Sequence, residues 1–357
     1  SAGKHLPLTN NNSRKNEILP SRFWIWRWGK PVRPDNRLEM EQIENMEQKQ
    51  PSKKTSIGGQ ALIEGVMMRG VGITCLAVRQ TDGTIYTEQW GDGEDSRPWY
   101  KRTPIIRGGF NFIEMMVLGY KCLMKSAELA GFEDEEPSAF EKKLASLLGD
   151  KFSTVMTYLV VALGVALAMG LFVVLPAFVA GLLAKVIHSQ LILTVVEGVT
   201  KIGLLIAYLG LVAQMDEIHR MYQYHGAEHK TIACYEAGEE LTPANVKKPP
   251  RFHPRCGTSF LLIVLVISIL VFSILPRGGS LWITVGLKLL LMPLVVGIAY
   301  EIIKLAGRYD NWLTRLISKP GLWLQRLTTK EPDESMMEVA IAAMKPCIPK
   351  EEGLDNW

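Results

Sequence analysis

Apolar residues are concentrated in four stretches of the second half of the chain, while polar residues dominate the first half. The stretches cover about 155–183, 191–212, 259–275 and 281–300. Each is close to the roughly 20 residues that a helix needs to cross a hydrocarbon core of about 30 Å. Short turns join the first stretch to the second and the third to the fourth. The pattern therefore predicts four transmembrane helices in two hairpins, with Glu197 and Lys201 forming an i,i+4 pair inside the second helix.

The polar region before these stretches predicts a small α+β domain. Alternating residues over 74–78 and 84–87 flank Asp82-Gly83, which predicts a β-hairpin. A helix with an apolar face then opens at Arg107 and runs to about Ala130, either buried or lying at the membrane surface. The acidic run 133–137 is expected to break that helix, and an amphipathic helix is predicted over 140–148.

The fold class that follows is a mainly α-helical integral membrane protein with a small α+β cytoplasmic N-terminal domain. Residues 1–55 are polar and basic, cannot bury a core and contain no apolar signal region, so a flexible extension without a secretory signal peptide is expected. The predicted divisions are the extension 1–55, the domain 56–150, the first hairpin 155–213, a cytoplasmic loop 214–258, the second hairpin 259–300 and a cytoplasmic C-terminal tail 301–357.

Basic residues are distributed unevenly around the apolar stretches. The two short turns carry only Lys185 and Arg277, whereas the central loop and the tail are rich in Lys and Arg. The positive-inside rule then places both termini and the central loop in the cytoplasm of a multi-pass cell-membrane protein. The mild net charge of +4 does not indicate a nucleic-acid partner. Five scattered cysteines are a poor disulfide framework and favour reduced thiols or metal ligands.

The central loop carries a His-x-x-Glu-His motif in His225, Glu228 and His229. Histidines four apart share one face of a helix and can bind one divalent metal ion, with zinc favoured. Glu228 is then placed to take a proton from metal-bound water as the catalytic base. The helix itself is predicted because the second span can continue through Met215 to Glu236, with Gly238 as its C-terminal cap.

A proline-rich turn later in the loop holds two further candidate ligands, His253 and Cys256. Three protein ligands plus water are typical of a catalytic zinc site, and four ligands including the thiolate are typical of a structural one. A chance motif, with histidines that only bond headgroups, is the plain alternative. Glu64 is a candidate to complete the site or to form a salt bridge. Arg251 and Arg255 are candidates to contact an anion or anionic lipid.

Three blocks of the sequence, 56–70, 224–230 and 251–260, resemble the YqhQ-like family of bacterial membrane proteins. The resemblance covers roughly 53–332 and leaves residues 1–45 outside. It implies a domain of unknown function that is labelled a metal-dependent enzyme without a defined substrate. It argues against an ordinary inverted zinc peptidase, which is a large soluble protein with a distant glutamate ligand.

Two functions remain open at this point. The first is a membrane-embedded metal-dependent hydrolase that acts at the cytoplasmic surface on a lipid-linked or membrane-surface substrate. The second is a non-enzymatic assembly factor or small transporter, in which the same residues hold a structural metal.

Overall fold

The computed structural model describes residues 25–27, 30–32, 53–91, 98–131, 152–275, 281–309, 311–351 and 353–356. The chain divides into two units, Ser1–Lys49 and Gln50–Trp357. In the first unit, strands β1 (Ile25–Arg27) and β2 (Lys30–Val32) pair antiparallel. Most of the extension predicted over 1–55, and the whole amphipathic helix predicted over 140–148, lie outside the described residues.

A four-stranded antiparallel sheet opens the second unit. Its strands, in spatial order, are β3 (Gly58–Leu62), β4 (Gly65–Arg69), β5 (Ile73–Arg79) and β6 (Ile85–Gly91). The predicted hairpin is confirmed as β5–β6, with Gly83 at φ 85° in its turn. The hairpin β3–β4 was not predicted, because its stretch of glycine and methionine lacks a clear alternation of polar and apolar residues.

Helix α1 (Ile106–Leu129) covers one face of this sheet, through a core formed by Leu62, Met67, Leu76, Val78 and Cys122. The predicted helix is confirmed, but the expected cause of its end is wrong. Helix α1 stops at Leu129, and Gly131 then adopts a left-handed φ of 73°. The chain therefore leaves the helix at a glycine before it reaches the acidic run.

Apolar helices follow. Helix α2 (Phe152–Met169) passes through a π-helical segment (Gly170–Val174) into α3 (Leu175–Leu183), and α4 (Gln190–Val212) lies next along the chain. The predicted continuation of the second span into the site is wrong. Helix α4 ends at Val212, and Met215 is extended at ψ 134°, so a separate helix α5 (Asp216–Glu236) begins there.

A one-turn helix α6 (Pro243–Val246) is capped by Thr242 and precedes α7 (Gly257–Phe272) and α8 (Leu281–Arg308). Among the described residues, three helices are long and apolar enough to cross a membrane: Val155–Leu183, Gln190–Val212 and Trp282–Arg308. Helix α7 is apolar but has only 16 residues, or roughly 24 Å at 1.5 Å per residue. The structure therefore confirms a mainly helical chain with three candidate spans.

Buried charges connect two of the candidate spans. Lys201 lies 2.9 Å from Glu197, which confirms the i,i+4 pair within α4. Lys288 of α8 also pairs with Glu197, a contact that spacing along one helix does not reveal. Residues of opposite charge therefore fix α4 and α8 against each other.

The C-terminal stretch contains α9 (Trp312–Thr328) and α10 (Glu334–Met344). Helix α10 packs between the sheet and α5 in the largest core of the described chain. That core includes Val66, Met68, Ala77, Tyr224, Ala227, Met336, Ala340 and Met344. Residues that are far apart in sequence therefore hold the site helix α5 in place.

Candidate metal centre

Helix α5 positions the first two candidate ligands. Asp216 and Glu217 in its first turn are favourable next to the positive end of the helix dipole. The helix ends at Glu236, and Gly238 at φ 72° confirms the predicted C-terminal cap. His225 and His229 share one face, and their ring centroids are 4.4 Å apart.

The third candidate ligand stands where the loop enters α7. Cys256 is the N-cap of α7, and its Sγ lies 3.2 Å from Nε2 of His225. One ligand atom from each of His225, His229 and Cys256 lies within 4.8 Å of the others. We call these three residues the His/Cys cluster. Among the described residues, this is the group of three or more His, Cys, Asp or Glu side chains whose spacing could hold a metal ion.

Backbone carbonyls orient both histidine rings. Nδ1 of His225 lies 2.8 Å from the carbonyl oxygen of Thr328, and Nδ1 of His229 lies 2.6 Å from that of Arg251. A carbonyl oxygen can only accept, so each Nδ1 carries the hydrogen. Nε2 is then the nitrogen of each ring that can bind a metal. Histidine ligands in metal sites usually have such a partner on the second nitrogen.

The pKa shifts of Cys256 and His225 favour the binding of a cation by the cluster. Burial by itself raises the pKa of the Cys256 thiol, but His225 and His229 lower it well below its ordinary value. Burial by itself lowers the pKa of His225, but the charges of Cys256 and Glu228 raise it to about 9. These opposite shifts favour a thiolate on Cys256 and a proton on His225. A metal ion that binds there displaces this proton.

Glu228 is buried beside the cluster. Burial raises the pKa of its carboxyl group, while the charges of His225 and His229 act in the opposite direction. The backbone N–H of Gly59 in β3 donates to this carboxylate. A Cβ atom on Gly59 would lie 3.1 Å from Cδ of Glu228 and 2.6 Å from the carbonyl oxygen of Met67. Gly59 therefore lets β3 approach Glu228 closely, a role that the sequence alone did not reveal.

His253 does not join the cluster, although its ring centroid is only 5.6 Å from that of His229. Its Nε2 lies 3.6 Å from a carboxylate oxygen of Glu236 and 3.3 Å from Nη2 of Arg255. Burial, and then the charge of Arg255, lower the pKa of His253 to about 4. The structure thus brings together three of the four predicted ligands and leaves the fourth with other partners.

The three residues predicted to surround the ligands, Glu64, Arg251 and Arg255, also have protein partners. Glu64 accepts a hydrogen bond from Nη2 of Arg220 at 2.7 Å and another from the Tyr224 hydroxyl at 3.1 Å. Of its two predicted roles, Glu64 therefore has that of a salt-bridge partner. Arg251 lies 3.3 Å from a carboxylate oxygen of Glu331. Arg255 pairs with Glu236, and both are buried. The cations predicted to face an anion therefore pair with carboxylates in this structure.

The geometry defines a class: a helical protein with apolar helices long enough to cross a membrane and a candidate metal centre at the start of α7. The chain belongs to the protein family of unknown function DUF1385, whose model matches residues 103–350. It is 34% identical over 297 residues to the uncharacterized protein YqhQ of Bacillus subtilis, which covers 82% of this chain and 92% of that protein. The resemblance to YqhQ-like proteins is thereby confirmed. No solved structure matches the chain.

Proposed function

We propose that this protein is a multi-pass cell-membrane protein that binds a divalent metal ion through His225, His229 and Cys256 and catalyses a hydrolytic reaction at the cytoplasmic surface. One observation supports this most directly. Backbone carbonyls fix both imidazole rings so that Nε2 is the available nitrogen, with ligand atoms of the three residues within 4.8 Å of one another. Such orientation is typical of metal ligands.

The donor set favours zinc. Two imidazoles and one thiolate are ligands that zinc accepts, and three protein ligands leave a fourth position. A bound zinc ion would supply Lewis-acid chemistry there. Glu228 is the group that we assign as general base, because its buried carboxyl group interacts with the charges of all three ligands.

The topology that we propose treats α7 as a fourth span beside the three longer helices, which gives two hairpins. Both termini and the metal centre then lie in the cytoplasm, because the central loop and the C-terminal stretch carry most of the Lys and Arg near the spans. Cys256 directly precedes the apolar α7. This position favours a lipid-linked or membrane-surface substrate.

Metal analysis of the purified full-length protein tests the ligand set. We expect one zinc ion per chain, lost in His225→Ala and in Cys256→Ser. The matched control is His219→Ala, which removes a histidine from the same helix outside the cluster. His253→Ala should also keep the metal. Loss of metal in both histidine controls, or its retention in both cluster variants, would contradict this assignment.

Hydrolysis is tested with a panel of chromogenic esters and phosphodiesters. Glu228→Gln should retain the metal and slow cleavage of the best probe by about 10²–10⁴-fold, the usual contribution of a general base. A Glu228→Gln protein that keeps both metal and rate would rule out the base role.

The second candidate is a structural metal that clamps a non-enzymatic membrane protein. It is favoured by the position of the cluster, which joins α5, the start of α7 and the end of α9 through buried groups. Cobalt substitution separates the two functions. An open coordination position gives an absorption spectrum that shifts when cyanide is added, and a closed four-ligand site gives one that does not.

A further inference from the structure

Helix α9 has three distinct faces. The buried face, formed by Gly321, Leu322, Leu324, Gln325 and Thr328, packs on the protein. On the opposite face, Trp312, Leu316 and Trp323 follow the helical repeat, and the two tryptophans are 76% and 51% exposed. The exposed Arg315 and Lys319 lie along the edge of that apolar face. The helix contains no acidic residue.

This arrangement matches the chemistry of a lipid headgroup layer. An amphipathic helix in that layer directs its apolar face to the acyl chains and its basic side chains to phosphates, and tryptophan is enriched at the same depth. Water offers no comparable partner for two exposed tryptophans next to an exposed leucine. The absence of acidic residues favours an anionic surface over a neutral one.

The end of α8 and a contact with α7 indicate the depth of α9. Helix α9 starts shortly after Arg308, the end of α8, and a capping box between Asn311 and Thr314 fixes its first turn. Gly321 packs against Ser259, which lies in the first turn of α7. The axis of α9 therefore passes the end of the apolar helix α7, which is the level where bilayer meets water in the four-span topology proposed above.

Helix α1 provides an independent marker of the same level. The ring of Phe112 lies 6.0 Å from that of Phe260, the residue next to Ser259. Helix α1 also exposes apolar residues along one stripe, namely Ile106, Phe110, Ile113, Val117, Tyr120 and Met124. Two amphipathic helices thus meet α7 at adjacent residues, and each turns apolar side chains outward.

We propose that α9 lies in the headgroup layer and binds anionic phospholipids, with Trp312, Leu316 and Trp323 in the acyl region and Arg315 and Lys319 on the phosphates. The surface that α9 binds is the bilayer in which the protein itself is embedded. The assignment does not depend on the metal, since Trp312, Leu316 and Trp323 are exposed and lie opposite the buried face of α9.

Spin-label accessibility in the full-length protein tests the depth. A nitroxide on Leu316→Cys, in vesicles of phosphatidylcholine and phosphatidylglycerol, should be accessible to oxygen and shielded from a water-soluble nickel chelate. Leu163→Cys on α2 provides the lipid reference, and Thr81→Cys in the β5–β6 turn provides the water reference. Access to the nickel chelate at Leu316→Cys would overturn the proposal. Shielding from both reagents would also overturn it, because a protein surface would then cover the face.

Lipid selectivity tests the charge. The preference of the protein for spin-labelled phosphatidylglycerol over phosphatidylcholine should fall by roughly fivefold for each basic residue removed in Arg315→Gln and Lys319→Gln. Lys185→Gln, an exposed lysine after α3, is the matched control and should keep the wild-type preference. Wild-type selectivity in the double variant would overturn the anionic assignment, whatever the metal content of either protein.

Discussion

Two buried polar clusters share the loop that leads into α7, and they balance charge differently. The first is the His/Cys cluster. The second, which we call the Glu236 cluster, consists of Glu236, His253 and Arg255. In the Glu236 cluster a permanent guanidinium cation pairs with the carboxylate, and His253 is held neutral beside them. The charge of this cluster is therefore complete without any added ion.

In the His/Cys cluster, the lowered pKa of Cys256 and the raised pKa of His225 favour a thiolate beside a protonated imidazole. A metal ion can replace that proton, whereas a cation that approached His253 would meet Arg255. The rings of His229 and His253 are only 5.6 Å apart, yet only His229 belongs to the candidate site. The position of the fixed cation, and not the residue type, therefore decides which histidine is available for a metal.

The largest effect is expected from removing the fixed cation of the Glu236 cluster. Arg255→Met leaves a buried carboxylate without its guanidinium partner, so the free energy of unfolding should fall by about 3–5 kcal/mol. Denaturant unfolding of the detergent-solubilised protein measures this change. The metal content should stay at the wild-type value in the folded fraction, because Arg255 bonds to Glu236 and His253, which are not ligands in the proposed site.

The matched control for Arg255→Met is Lys248→Met. Lys248 pairs with Glu239 at 3.1 Å, but the two side chains are 60% and 39% exposed. An exposed ion pair contributes at most about 1 kcal/mol. Equal stability losses in the two variants would show that the Glu236 cluster is not a buried ion pair of the kind described.

The second prediction concerns acid. His253 has a folded-state pKa of about 4, against about 6.5 in an unfolded chain. Below pH 6.5 the unfolded chain gains a proton at His253 that the folded chain does not take up until about pH 4. The free energy of unfolding should therefore fall by about 3 kcal/mol as the pH decreases from 6.5 to 4. Unfolding curves across that range give the slope.

His253→Gln removes the titrating ring and serves as the comparison. We expect this variant to be less stable at pH 7 but to lose much less stability between pH 6.5 and 4. An unchanged slope in His253→Gln would mean that another group is responsible for the acid sensitivity. The Glu236 cluster would then differ less from the His/Cys cluster than the structure indicates.

Local pattern predicted the parts of the molecule that depend on nearby residues. Helical spacing placed His225 and His229 on one face, and glycine chemistry located the end of α5 at Gly238. The β5–β6 turn followed from Asp82-Gly83. Each of these features is determined within a few residues, so the sequence carries a direct signal for it.

The remaining features depend on contacts across the chain. The carbonyl of Thr328 orients His225 from a position 103 residues away, and backbone carbonyls have no sequence signature. The choice between His229 and His253 depends on Arg255, and the loop sequence 251–256 alone does not show which carboxylate that arginine meets. Gly59 follows the same rule, because its role is defined by the carboxylate of Glu228 in another element.

The smallest effect is expected at Gly226, where the His/Cys cluster depends on close packing rather than on charge. A Cβ atom there would collide with the backbone carbonyl of Lys330, which lies two residues after Thr328. Gly226→Ala should therefore lower the free energy of unfolding by about 1–2 kcal/mol, although alanine is the better helix former. Displacement of the Thr328 carbonyl should also weaken zinc binding by about tenfold. Gly109→Ala, with open space beside it in α1, should be neutral or slightly stabilising. Equal behaviour of the two variants would show that α5 and the C-terminal segment do not need this contact to hold His225.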